Sequence, residues 1–233
     1  MKRMGIIGGL GPEATLYYYR VIINLCYENK DLEGNYPEIV IYSLNLEECR
    51  HSMEKGNWPE LSTKLAAACQ SLSRAGAEFG LIAANTPHMV FDHVREKSPI
   101  PLLSIVEETS EEVVRRGLKK VGLIGTLITM QSHFYKDVFR RRNISIAVPR
   151  EDEQAYIYEK IRSELGVGIM LTETRGRFLQ IAQRMKEEDS IQGLILGCTE
   201  IPLLLTSEEL GIPFFDTSKI HAQSALQYSL AKT

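Results

Sequence analysis

Short apolar runs alternate along the chain with longer segments whose apolar positions recur at helical spacing. Met4-Gly-Ile-Ile-Gly8, Ile39–Leu44, Gly80-Leu-Ile-Ala-Ala84, Ile100–Ile105, Val121-Gly-Leu-Ile-Gly125, Gly193-Leu-Ile-Leu-Gly197 and Ile212–Asp216 read as strands. Alternation of such strands with longer amphipathic segments is the mark of α/β packing around a parallel sheet. Glu107–Arg116 reads as a helix with its charge on one face, closed by Gly117. Ser218–Leu230 reads as the matching last helix.

Three pairs of these segments match in order. Met4-Gly-Ile-Ile-Gly-Gly-Leu10 pairs with Val121-Gly-Leu-Ile-Gly-Thr-Leu127, at an offset of 117 residues. Gly80-Leu-Ile-Ala-Ala-Asn-Thr86 pairs with Gly193-Leu-Ile-Leu-Gly-Cys-Thr199, at 113, and Ile100-Pro-Leu-Leu-Ser104 with Ile212-Pro-Phe-Phe-Asp216, at 112. Two copies are too few for a solenoid. They predict two α/β units of similar topology, each strand, helix, strand, helix, strand, helix, strand, with mainly parallel Rossmann-like or flavodoxin-like sheets. The expected boundaries give one domain of residues 1–105 with 217–233, its last helix crossing back, and a second of 106–216. Ligands of such sheets bind beyond the carboxyl ends of the strands, so the site is expected between the two units.

The polar residues at those strand ends carry the candidate chemistry. One repeat ends in Gly197-Cys198-Thr199-Glu200, the other in Ala84-Asn85-Thr86-Pro87-His88. A thiol at a helix start is expected to have a lowered pKa, so Cys198 reads as the reactive group. Glu200, in the first turn, would favour the helix dipole or orient a neighbour. Asn85, Thr86 and Thr199 suit either helix caps or ligand donors, and His88 either a base or a core histidine. Gly8-Gly9-Leu-Gly11-Pro12 lacks the dinucleotide spacing but offers N–H groups at a helix start, with the Thr15 hydroxyl, as a cradle for a small carboxylate. Arg50 and Arg162 carry the forked donors that pair with carboxylates, and Lys160 rivals Arg162. His51, His93, His133 and His221 default to surface or structural roles.

Composition narrows the partners. A chain of 233 residues with 44% hydrophobic and 24% charged residues can bury a real core. A formal charge of −3 gives no reason to expect nucleic acid or an anionic membrane. Arg140-Arg141-Arg142 has no aromatic platform and reads as a solvated helix end. No apolar stretch approaches the roughly 20 residues that span a bilayer, and no signal-peptide layout opens the chain, so a cytoplasmic location is expected. Cys26, Cys49 and Cys69 read as small core hydrophobes, and the cysteine spacing suits neither a metal site nor a disulfide framework.

Taken together, Gly8-Gly9-x-Gly11-Pro12-x-Ala14-Thr15, Asn85-Thr86-x-His88, Gly125-Thr126-x-x-Thr129 and Gly197-Cys198-Thr199-Glu200-Ile201-Pro202 resemble the aspartate/glutamate racemase family over nearly the whole chain. The resemblance implies two facing α/β domains related by a pseudo-two-fold axis. It implies cofactor-independent racemisation of an amino acid, aspartate or glutamate above all, commonly by a homodimer. In that family one thiolate removes the α-proton and an opposite thiol returns one to the other face. Cys198 matches the second thiol. The resemblance places Gly11, Arg50, Asn85, Thr86, Thr126, Thr129, Arg162, Thr199 and Glu200 at the substrate. Ala84 stands where the first thiol belongs, and a methyl group carries no proton. Three accounts therefore stay open: a donor on that face from Thr86, His88 or a held water; a one-thiol isomerase or lyase of dicarboxylates; or a member that only binds an amino acid or dicarboxylate.

Overall fold

A computed structural model describes residues 1–205 and 210–231. The expected boundary segment 217–233 thus ends in residues 232 and 233, which lie outside the described residues. The chain divides into two compact units, Met1–Glu108 with Ser218–Thr233, and Thr109–Thr217.

In the first unit the order is β1 (Met4–Gly8), α1 (Pro12–Glu28), β2 (Ile39–Ser43), α2 (Leu46–Glu54), α3 (Trp58–Arg74), β3 (Phe79–Ile82), α4 (Phe91–Lys97) and β4 (Leu102–Leu103). Next comes α5 (Ile105–Arg115), within which the unit boundary falls. The second unit runs β5 (Lys120–Gly125), α6 (Leu127–Gln131), α7 (Phe134–Arg140), β6 (Ser145–Ala147), α8 (Glu151–Ser163), α9 (Thr172–Glu188), β7 (Leu194–Gly197), α10 (Ile201–Leu204) and β8 (Phe214–Asp216). The last helix is α11 (Thr217–Leu230). The sheets are ordered β2-β1-β3-β4 and β6-β5-β7-β8, and every pairing is parallel, as the repeat predicted. Gly117 ends α5 in the left-handed region at φ 69°, where its N–H bonds the Val114 carbonyl.

The period of two along each strand sorts the core. On one side of the first sheet Ile7 and Ile82 meet Leu61, Leu65, Cys69 and Leu72 of α3. On the other, Met4, Ile6, Phe79 and Leu81 meet Tyr18 and Ile22 of α1 and Ala222, Ala225 and Leu226 of α11. Each fully buried Ile or Leu contributes about 1.5–3 kcal/mol, so both faces are needed to hold the sheet. In the second unit Ile124, Leu194 and Leu196 pack with Ile157 and Ile161 of α8 and Phe178 and Ile181 of α9. Cys198 continues the even-numbered face of β7 and joins that cluster. Cys26, Cys49 and Cys69 are buried on helices. No helix of the described residues is long and apolar enough to cross a membrane.

Candidate active site

Two strand tips carry the chemistry-bearing residues, one in each unit. At the end of β7 the tip is possible because two glycines face each other in register, Gly125 on β5 and Gly197 on β7. A Cβ on Gly125 would lie 2.8 Å from the Gly197 carbonyl oxygen, and one on Gly197 would lie 3.0 Å from that of Ile124. The Thr129 methyl covers both positions at 3.2 Å. Thr126 caps α6, its hydroxyl accepting from the Thr129 N–H at 3.2 Å and lying 3.0 Å from the Thr129 hydroxyl. Thr129 is fully buried and Thr126 half-buried. These two threonines shape the tip by packing and capping.

Cys198 follows directly and is 8% exposed. Its Sγ donates to Glu200 Oε2 at 2.8 Å, and the Thr199 hydroxyl donates to the same oxygen at 2.8 Å. Burial pushes the Cys198 thiol well above its ordinary pKa, and the Glu200 carboxylate adds to the rise by its charge and as an acceptor. This corrects the expectation of a thiol lowered by a helix start. The backbone N–H groups of Thr199 and Glu200 do pull it down, but less than burial and the carboxylate push it up, and the helix beyond, α10, is a single four-residue turn. The resting group is a thiol. Of the two roles foreseen for Glu200, it orients its neighbours.

At the end of β3, Ala84 is 7% exposed and Asn85 4%. Asn85 opens a 3-10 turn, Thr86–Val90, without capping it through its side chain. Thr86 is half-buried. His88 is buried, with Nδ1 2.9 Å from the Ala84 carbonyl oxygen and Nε2 receiving the Ile105 N–H at 3.2 Å. Burial, helped by nearby His221, lowers its pKa to about 3. His88 as a base or proton donor is therefore corrected: both nitrogens are engaged by backbone, and the charged form is strongly disfavoured. His221 is likewise buried, Nδ1 at 2.9 Å from the Tyr18 hydroxyl and Nε2 at 3.1 Å from the Leu103 carbonyl. Its Tyr18 partner is 203 residues away in sequence, a link no local pattern announces.

The glycine-rich turn after β1 is more closed than expected. Thr15 accepts the Gly9 N–H at 2.9 Å and lies 3.4 Å from the Gly11 carbonyl, so its hydroxyl completes the turn and that N–H is not available to a ligand. Gly11 is the cap position of α1, where Pro12 contributes no N–H. Arg50, exposed on α2, grips both oxygens of Glu47 at 2.8 and 2.6 Å. Exposed pairs of this kind are worth about 0–1 kcal/mol, so another carboxylate could replace Glu47. Arg162 is exposed on α8 with its guanidinium carbon 5.7 Å from the Tyr158 ring centroid, and Lys160 pairs with Glu164 at 2.6 Å. Within its unit each tip gathers its own residues: Asn85, Thr86 and His88 around Ala84, and Thr199 and Glu200 around Cys198. Among the described residues there is no group of three or more His, Cys, Asp or Glu side chains placed to hold a metal.

The profile of the Asp/Glu/Hydantoin racemase family matches residues 7–225. The chain belongs to that family. It is 23% identical over 232 residues to the broad specificity amino-acid racemase RacX of Bacillus subtilis (strain 168), covering 98% of each chain. The crystal structure of an aspartate racemase homologue from Pyrococcus horikoshii OT3 superposes with a TM-score of 0.87 at 36% identity, covering 99% of this chain and 100% of that one. The glutamate racemase of Francisella tularensis subsp. tularensis SCHU S4, solved with D-glutamate, shares the fold at a TM-score of 0.70 and 19% identity, over 98% and 80% of the two chains. The family is one of isomerases, and these relatives are named for amino-acid racemisation.

Proposed function

We propose that the protein is a racemase or epimerase of an amino acid, aspartate or glutamate first among the candidates, with Cys198 as its principal acid/base. The observation that carries this reading is the thiol at the tip of β7, held by a carboxylate 2.8 Å away. A Cα–H beside an ionised carboxylate is a very weak acid. The carbanion it leaves must meet preorganised donors in a dry site. Asn85, Thr86 and Thr199 are the donors in this reading, with Gly11, Thr126 and Thr129 shaping the substrate's surroundings. Arg50 and Arg162 are its clamps for a side-chain carboxylate, Arg50 exchanging Glu47 for the substrate. Side chains and water carry every proton, so the reaction needs no pyridoxal phosphate. Burial, with Glu200 beside it, keeps Cys198 protonated at rest, which makes the sulfur a readier acid than base. Ala84 offers nothing to the opposite face, leaving Thr86 or a held water. Turnover is then slow, and because two enantiomers are equally stable, kcat/KM is the same in both directions.

A homodimer in the cytoplasm, built from domains of residues 1–105 with 217–233 and of 106–216, accompanies this reading. The test is incorporation of solvent deuterium at Cα of L- and D-aspartate and L- and D-glutamate. Exchange is expected for at least one, falling about 10²–10⁴-fold in Cys198→Ser. Absence of Cys198-dependent exchange with all four would overturn the proposal. Ala84 and the protonated thiol favour a second reading, a member that binds an amino acid or dicarboxylate without turnover, for which calorimetry would record binding where exchange is missing.

A further inference from the structure

The two buried histidines of the first unit carry their tautomers in their partners. The Ala84 carbonyl can only accept, so the His88 nitrogen 2.9 Å from it, Nδ1, bears the proton. The Ile105 backbone N–H can only donate, so His88 Nε2 is bare. His221 has the opposite form. Its Nε2 must donate to the Leu103 carbonyl, which leaves Nδ1 to accept from the Tyr18 hydroxyl. The two rings lie 6.2 Å apart at 74°, and His88 stacks on Phe91 at 4.8 Å and 10°.

What these rings hold is the exit of two neighbouring strands. Ala84 is where the chain leaves β3, and Ile105 is the first residue of α5, just beyond β4. Strands β3 and β4 are paired through Gly80↔Leu102 and Leu81↔Leu103. Those pairs end before the tip, so sheet hydrogen bonding does not reach Ala84. The His88 ring bridges that gap, while His221 secures the end of β4 to α1 through Tyr18. A ring that shuttled a proton would release one of its two backbone partners at each step.

We propose that His88 is a positioning residue: its Nδ1–H tautomer clamps the Ala84 carbonyl to the Ile105 amide and so fixes the direction in which Asn85 and Thr86 meet an amino-acid ligand. The ligand half of this statement rests on the proposed function; the clamp does not. Asparagine places its amide close to where Nδ1 lies and can keep the hold on Ala84. Glutamine reaches to the Nε2 position and keeps only the Ile105 side.

The experiment combines two measurements on the full chain. Long-range ¹H–¹⁵N correlation of histidine-labelled protein at pH 7 should show His88 as Nδ1–H and His221 as Nε2–H, assigned by loss of each signal in His88→Asn and His221→Asn. An imidazolium or the reverse tautomer at His88 overturns the clamp. Backbone amide shifts of Asn85 and Thr86 should then stay close to wild type in His88→Asn and move in His88→Gln, and equal displacement in both variants also overturns it. Where the wild-type protein exchanges an amino acid, KM should rise about tenfold in His88→Gln and less than about threefold in His88→Asn, with the pH profile of kcat unchanged in both. Loss of a limb of that profile in folded His88→Asn would make His88 a proton carrier. If wild-type protein exchanges no substrate, the functional reading fails alone and the tautomers and amide shifts still decide the clamp.

Discussion

The tips of β3 and β7 occupy the same place in two sheets of the same order, yet they are built on opposite principles. At β3 a neutral imidazole grips backbone: His88 holds the Ala84 carbonyl and the Ile105 amide. At β7 a carboxylate grips side chains: Glu200 takes the Cys198 thiol and the Thr199 hydroxyl. Four residues beyond Cys198 stands Pro202, where His88 stands four beyond Ala84. The tie to the following helix is made instead by Thr217, whose hydroxyl donates to the Leu196 carbonyl at 3.0 Å. A duplicated backbone thus needs a brace at both tips, while the atom offered to chemistry, a methyl or a thiol, varies without disturbing the scaffold.

The contrast should appear first in the response to pH, where the effect is largest. Folding holds His88 at about 3 and His221 at about 4, below the ordinary value of about 6.5 that the unfolded chain regains. The unfolded state then binds protons first as acid is added. Stability from this pair is complete above about pH 6.5 and is lost as pH falls toward 4 and then 3, at most about 1.4 kcal/mol per pH unit for each ring. Denaturant unfolding should record a loss of about 2–4 kcal/mol between pH 7 and pH 5, and much less in a His88→Asn, His221→Asn double variant. Cys198 has the opposite sign. Its raised pKa favours the fold below the unfolded value of about 8.5, and the advantage fades as pH climbs above it. Acid weakens one tip and alkali the other.

Backbone crowding offers the next test. Gly125→Ala would bring a methyl to 2.8 Å from the Gly197 carbonyl, a contact that no side-chain rotation relieves. A stability loss of about 1–3 kcal/mol is expected, together with a displaced Cys198 tip. Gly176→Ala, where the added carbon meets nothing within 4 Å, is the control and should be neutral or slightly stabilising. Equal costs at the two positions would mean that the β5–β7 approach is not what the glycines permit.

How much of this was legible beforehand follows from what each feature depends on. The parallel sheets, the duplication and seven of the strands depend on local apolar runs and short loops, and so stood in the sequence; the short β6 did not, and Ile100–Ile105 is a strand only over Leu102–Leu103, because Ile105 already opens α5. The tips stood there too, because Asn85-Thr86 and Cys198-Thr199 close two of the apolar runs. The ionisation of Cys198 departs from the expectation because burial, which no local pattern announces, and then a carboxylate two residues on raise the thiol, and α10 is too short to outweigh them. Thr15 and the Gly9 N–H depart from the expected cradle because they bond each other. A motif names donors, but only coordinates reveal which of them already satisfy each other. The His88 and His221 braces span partners 17, 118 and 203 residues away, separations at which sequence spacing carries no signal.

Restoring symmetry should change rate more than stability. In Ala84→Cys a thiol would stand at both tips, and if β3 keeps its braced geometry, two-way racemisation should rise by at least about tenfold over the parent. Deuterium wash-in and circular dichroism on both enantiomers of the substrate would measure it. An unchanged rate would show that the two tips have diverged beyond the missing sulfur.

The smallest expected effect separates Glu200's charge from the burial around it. Glu200→Gln removes the negative charge beside Cys198 while keeping an oxygen able to accept from Sγ. Desolvation, the larger cause of the raised pKa, persists, so the thiol should come down only part of the way. Alkylation of Cys198 by iodoacetamide at pH 8 should accelerate about three- to tenfold over wild type. Cys26, Cys49 and Cys69, whose thiols burial also raises, serve as internal references in the mass spectrum. Acceleration at Cys198 alone assigns the effect to the carboxylate. Acceleration at all four would mean that the fold has loosened, and no change would mean that burial by itself keeps the sulfur protonated.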